Sequence, residues 1–295
     1  MDRNSKNAVV VGLDRSDQGR AAVDYAAELA TRRHLPLRVV HAFEPSQYTV
    51  RSTVDWTPDL QGVMRNAAQR LVDETVEVLG VVYPDLMMET RLDPGSAVEA
   101  LVEESERAHA VVLGSRGTGG FADLLLGSTT LHVTSQAHCP VVAVPALLEG
   151  EAPRHGVVVG VDGSELSEAA IEFALQVASE VHESLVALHA WTDPALTGPG
   201  VMIPLVYDPV LVNNEERIVL AESMAGWAEK FPDVEIQHKV VRGHAVRALV
   251  GEAAHARLLV VGSRGRGSVR SLLGSVSHGA LHHATGPVAV VHPRG

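Results

Sequence analysis

The sequence predicts an α/β protein made of two tandem doubly wound domains, each a five-stranded parallel sheet covered by helices. Three observations carry this: an internal repeat, an alternation of β-branched runs with helix-period segments, and a glycine-rich run after the fourth strand of each copy. Val9-Val10-Val11-Gly12-Leu13-Asp14-Arg15-Ser16 recurs as Val157-Val158-Val159-Gly160-Val161-Asp162-Gly163-Ser164, an offset of 148 residues. The same offset carries His41-Ala42-Phe43 onto His189-Ala190-Trp191 and Gly114-Ser115-Arg116-Gly117 onto Gly262-Ser263-Arg264-Gly265. Beyond that point Gly127-Ser128 matches Gly274-Ser275 at an offset of 147, so the second copy is one residue shorter there.

In the first copy the short apolar runs Ala8–Asp14, Leu37–Phe43, Leu86–Leu92, Ala110–Gly114 and Val141–Val144 read as buried parallel strands. The first helix opens at Ser16 as N-cap and places Ala22, Tyr25, Ala26, Leu29 and Ala30 on one face. Ala170, Phe173, Ala174, Val177 and Ala178 repeat that stripe in the second copy, so both faces are expected to pack on a sheet. By analogy with doubly wound folds the strand order is 3-2-1-4-5 with right-handed crossovers. Domains are expected at residues 1–147 and 154–295, joined by a linker at 148–153 where Glu149, Gly150, Glu151 and Pro153 interrupt two apolar strands. Glu44–Pro58 and Thr192–Asn214 read as long loops near the mouth of each domain. Pro140 and Pro287 precede the fifth strands, as sheet edges allow; these edges are expected to pair the copies, and the chain to form a homodimer.

Composition narrows the function. At 46% hydrophobic and 20% charged, the 295 residues have apolar material for two domain-sized cores. A formal charge of −12 disfavours nucleic acid and anionic lipid as partners. No apolar run reaches the roughly 20 residues of a membrane span, and the N-terminus lacks a signal-peptide core, so the expected location is cytoplasmic. The single cysteine, Cys139, has no disulfide partner and reads as core packing.

Ligands of such sheets gather beyond the carboxyl ends of the strands, where strand order reverses and helix N-termini point outward. The residues falling there are Gly12–Ser16, Ala42 and Phe43, and the run from Gly114 to Thr130, whose glycines would let backbone N–H groups approach a phosphate. No Walker A motif occurs. Gly117–Ala122 fits a loose dinucleotide fingerprint, but it follows strand four and lacks the acidic residue about 20 positions on, which makes NAD a weak reading. His41 and His189 are expected to be structural. His278 and His282 stand four apart beside His283, and without a third acidic ligand they read as a solvated helix face or an interface, so no metal ligand is expected. No catalytic residue is assigned.

The spacing of Gly114, Gly117 and Gly127-Ser128, with two and then nine residues between the glycines, resembles the ATP-binding motif of the universal stress protein family. The resemblance spans nearly the whole chain in two copies and is similar to tandem actinobacterial, mycobacterial-type members. It implies a Rossmann-like, adenine nucleotide alpha hydrolase-like fold in each half, and ATP with Mg²⁺ as ligand. By position, Asp14 would meet the nucleoside, Ala42 the adenine, and Gly114, Gly117, Gly127 and Ser128 the phosphates, flanked by Gly12, Leu13, Ser16, Arg116, Thr129 and Thr130. In the second copy these roles fall to Asp162, Ala190, Gly262, Gly265, Gly274 and Ser275, flanked by Gly160, Val161, Ser164, Arg264, Val276 and Ser277. Only eight residues, Arg266–Leu273, stand there where the family motif has nine, while Arg264, Arg266 and Arg270 supply positive charge. The function implied is a nucleotide-dependent regulator or sensor in stress response, dormancy or growth control. Alternatives are a slow ATP hydrolase or nucleotidyl transferase using the same crevice, and a nucleotide-independent adaptor with an unknown protein partner.

Overall fold

The computed structural model describes residues 7–43, 60–117, 126–146, 152–192, 209–265 and 273–292. The chain divides into two compact units, Met1–Leu148 and Glu149–Gly295.

In the first unit β1 (Val9–Gly12), β2 (Leu37–Ala42), β3 (Met88–Asp93), β4 (Ala110–Gly114) and β5 (Val141–Val144) are all parallel, in the order β3-β2-β1-β4-β5. Helices α1 (Asp17–Arg32), α2 (Leu60–Val82), α3 (Ala97–Ser105) and α4 (Ser128–Gln136) connect them. Strand side chains alternate between faces, so β1 is apolar on both: Val10 joins a cluster with Val40, Ala100, Leu101, Val133 and Cys139, while Val9 and Val11 are equally inaccessible. Helix α1 packs across β4, β1 and β5 through the predicted stripe, with Ala22, Ala26, Leu29 and Ala30 buried. Burial pushes the Cys139 thiol up to about 12, as an apolar filler requires.

The second unit repeats the arrangement. Strands β6 (Val157–Gly160), β7 (Leu185–Trp191), β8 (Ile236–Arg242), β9 (Leu258–Gly262) and β10 (Val288–Val291) lie parallel in the order β8-β7-β6-β9-β10. Their helices are α5 (Glu165–Val181), α6 (Pro209–Ser223), α7 (Trp227–Lys230), α8 (Ala245–Glu252) and α9 (Ser275–His283). Where the first unit has one continuous helix, α2, the second breaks it: Gly226, at φ +77, stands at the repeat position of Val78 and separates α6 from α7.

One expectation changes. The segment Thr192–Asn214 is not a loop throughout, because α6 begins at Pro209. A proline fits the first helical turn, and Leu220, Met224 and Trp227 then follow as a buried stripe. Residues 193–208, like the proposed loop at 44–58, lie outside the described residues. The units also differ in polarity between sheet and helix. In the first, Arg38 is buried and binds Glu89 (2.7 Å) and Glu104 (2.5 Å), while Arg91 binds Glu104 (2.8 Å), Asp93 (2.7 Å) and Glu103 (2.7 Å). The second unit has Val186, Gln237 and Val241 at the matching positions, and retains the pair Lys239–Glu252 at 2.5 Å.

Candidate functional site

The site of the first unit is built where β1 and β4 lie side by side and their connections leave in opposite directions. Past β1, the Leu13 amide donates to the Val40 carbonyl (2.8 Å), and His41 Nδ1 donates to the Leu13 carbonyl (2.8 Å). His41 thus ties the end of β2 to the turn after β1, the structural role expected of it. The chain next forms a tight carboxylate turn: Asp14 Oδ1 accepts from the Ser16 amide (3.0 Å) and from Ser16 Oγ (2.5 Å), while Ser16 Oγ accepts from the Gly19 amide (2.9 Å). Ser16 therefore caps α1 and braces Asp14.

From β4, the Ser115 amide donates to the Val144 carbonyl (2.7 Å), and the Gly127 amide returns to the Ser115 carbonyl (2.8 Å). Helix α4 starts at Ser128. Thr130 Oγ1 donates to the Gly114 carbonyl (2.7 Å), which pins the first turn of α4 to the end of β4. No side chain caps α4, in contrast to α1 and α3, so its first-turn N–H groups face the site as an anion-binding end.

The packing of the turn gives these glycines a reason of its own. None of Gly12, Gly114, Gly117 or Gly127 has a left-handed φ. A Cβ on Gly12 would lie 2.5 Å from Leu113 Cδ2, one on Gly114 would lie 2.8 Å from the Gln18 carbonyl carbon, and one on Gly117 would lie 2.7 Å from Asp14 Oδ2. The space a Cβ would fill at these three positions is taken by the protein's own atoms. Gly127 is the more open, with Arg116 Cα at 3.4 Å.

These elements enclose a cavity of about 990 Å³. Of the residues predicted for this half, Gly12, Leu13, Asp14, Ala42, Gly114, Arg116, Gly117, Gly127, Ser128, Thr129 and Thr130 line it, whereas Ser16 lies behind the wall as the α1 cap. Thr130 contributes its backbone, since its hydroxyl is spent on Gly114. Arg116 Nε is buried and, among the described residues, has no hydrogen-bond partner. Phe43, expected at the crevice, lines it too, but sequence reasoning missed the rest of the apolar wall: Val40, Met64, Ala67, Ala68, Ala97 and Leu101. The α2 members carried a legible signal in the apolar periodicity of 64–72, but nothing in it distinguishes a cavity wall from a core. The arrangement suits a ligand with a flat apolar part against that wall and an anionic part at α4 and Arg116.

The second unit repeats the carboxylate turn with an added donor. Asp162 Oδ1 accepts from the Ser164 amide (3.0 Å), Ser164 Oγ (2.6 Å) and Ser167 Oγ (2.6 Å), and a Cβ on Gly265 would lie 2.5 Å from Asp162 Oδ2. Ser277, which matches Thr130, turns its Oγ to the carbonyls of Gly274 (2.9 Å) and Ser263 (3.1 Å), not to that of Gly262, the repeat of Gly114. Val276, matching Thr129, brings no hydroxyl, and Ala190 is the last but one residue of β7, before Trp191, where Ala42 is the last of β2, before Phe43. Gly160 closes β6 against Leu249, Gly262 closes β9, Ser275 opens α9 after Gly274, and Arg264 precedes Gly265. His189 Nδ1 bonds the Val161 carbonyl (2.7 Å), as His41 does Leu13, but its Nε2 also meets Glu216 of α6 at 2.7 Å. Of the shortened stretch Arg266–Leu273, Leu273 alone is described.

Among the described residues no helix is long and apolar enough to cross a membrane. The model of the universal stress protein family matches residues 7–145 and again 154–292. A universal stress protein of Mycobacterium tuberculosis is 36% identical over 296 residues, covering 97% of each chain. One from Mycolicibacterium smegmatis is 35% identical over 302 residues, again covering 97% of each. Among solved structures, a universal stress protein from Archaeoglobus fulgidus superposes with a TM-score of 0.66 at 21% identity, over 97% of this chain and 96% of that one, a likeness of fold.

Proposed function

This chain belongs to the universal stress protein family, and from that premise we propose that it binds ATP in the crevice beyond β1 and β4 and acts as a nucleotide-dependent regulator. The observation that carries the reading is the cavity of the first unit, which joins an apolar wall to an uncapped helix N-terminus and an unpartnered buried guanidinium nitrogen. Its volume of about 990 Å³ lies at the upper end of the 300–1,000 Å³ typical of small-molecule sites. Val40, Ala42 and Phe43 offer an apolar surface to the base. Asp14, braced by Ser16, offers its carboxylate to the nucleoside, and Arg116 with the α4 amides would hold the phosphates, whose own oxygens would carry the Mg²⁺.

Asp14 is the sole carboxylate among the described lining residues, and its Oδ1 is committed to the turn. Bound nucleotide then changes the surface offered to a partner protein, in a response to stress or in growth control. The second unit takes the same ligand more weakly, because Val276 lacks the hydroxyl of Thr129 and the preceding run is one residue shorter.

The test is to denature the purified full chain, identify and count any released nucleotide, and titrate the emptied chain with ATP and Mg²⁺. About two ATP per chain supports both sites, and about one supports the first alone. No released nucleotide together with no binding overturns the proposal. A homodimer belongs to the same reading, and a strictly monomeric mass in sedimentation at micromolar concentration would remove it.

A further inference from the structure

Helix α9 carries a feature that the nucleotide site does not use. His278 and His282 stand one turn apart with ring centroids at 4.5 Å and ring planes tilted by 47°. His278 is exposed and His282 half-buried, and among the described residues no side-chain hydrogen bond or ion pair engages either ring. The opposite side of the helix is fixed: Ala280 and Leu281 are buried, and Gly279 abuts α8 so closely that a Cβ there would lie 2.6 Å from Val246. The packed face thus holds the helix while the two imidazoles share a stripe open to solvent.

We propose that His278 and His282 form a bidentate site for a divalent transition-metal ion, Cu²⁺ by preference, with water completing the coordination. Imidazole nitrogens suit this class of ion, and for a given nitrogen site affinity peaks at Cu²⁺ along the first row. A closed structural zinc site is a different object, needing four protein ligands. Among the described residues no group of three or more His, Cys, Asp or Glu side chains is placed to hold a metal, so the proposal rests on two imidazoles alone. His283, with its ring 6.4 Å from His282, points off the stripe as an adjacent helical residue must. The first unit has Leu131 and Ser135 at the matching positions, so the site belongs to the second unit alone.

The experiment is a CuCl₂ titration of the full chain in a non-coordinating buffer, read by calorimetry and by the nitrogen couplings in the Cu²⁺ paramagnetic resonance spectrum. The tightest site of the unsubstituted chain should show two imidazole nitrogens. His278→Ala or His282→Ser should leave one, and should weaken that site roughly a hundredfold by loss of the intramolecular second ligand. His283→Ala should leave it unchanged, and circular dichroism should report equal helix content in all three variants. Retention of the tightest site in His278→Ala/His282→Ser, or an equal loss on His283→Ala, overturns the proposal.

Discussion

Gly117→Ala isolates the part played by the carboxylate turn. The new Cβ would lie 2.7 Å from Asp14 Oδ2, inside any permitted contact, and the carboxylate cannot simply swing away because Oδ1 holds the Ser16 amide and hydroxyl. Ser16 in turn caps α1 through the Gly19 amide. A hydrogen bond to a charged group contributes about 1.5–3 kcal/mol, and loss of a cap costs about 1 kcal/mol. Partial loss of both places the expected destabilisation of the first unit at about 2 kcal/mol. Native-state hydrogen exchange at the β1 and β4 amides reads that unit separately from the second. The decisive measurement is the double-mutant cycle with Asp14→Ala, which removes the atom that the Cβ strikes. Gly117→Ala should then be nearly neutral, giving a coupling of about 1–2 kcal/mol. Additivity within about 0.5 kcal/mol would refute the claim that Gly117 exists to clear Asp14.

Arg116→Ala should weaken ATP by about tenfold or more while leaving exchange at β1 unchanged, since one charge-assisted donor is removed from a site and not from the fold; equal affinity would remove Arg116 from the phosphates. Arg38→Met should cost the first unit about 3 kcal/mol, because Glu104 stays buried with Arg91 alone, and adding Glu89→Gln should return part of the loss. Burial by itself would raise the Glu104 carboxyl, but hydrogen bonds from Arg91 and Arg38 outweigh it and hold the group below its ordinary 4.5. Its contribution is therefore present above that value and lost as pH falls through the lower folded pKa, and Glu104→Gln should flatten the acid limb of stability against pH. The Cys139 thiol, pushed up to about 12, should resist a thiol reagent at pH 8 until the chain unfolds, and equal labelling rates in native and denatured protein would contradict its burial.

What the sequence made legible was whatever repeats locally. Strand runs, the α1 stripe and the Ser16 cap are signals within a few residues, and the duplication marked them twice. The Arg38 and Arg91 network was not legible, because its members come from β2, β3 and α3 and meet only once the register pairs Arg38 with Glu89 and Ala42 with Asp93. The start of α6 was hidden by Pro209 and Asn213-Asn214, which read as loop residues until the stripe from Leu220 to Trp227 is seen buried. At the site, the motif located its residues but not their work. Spacing cannot distinguish a glycine that admits a phosphate from one that clears Leu113, Gln18 or Asp14, nor a hydroxyl offered to a ligand from one given to Gly114.

The two strand-end histidines show how duplicated halves diverge through a single contact. In the second unit His189 reaches past the turn to Glu216 and so fastens α6 to β7. In the first, the repeat position of Glu216 is Ala68, a plain piece of the cavity wall. The same stretch of helix is thus held by the protein's own polar contact in one half and left as apolar lining in the other.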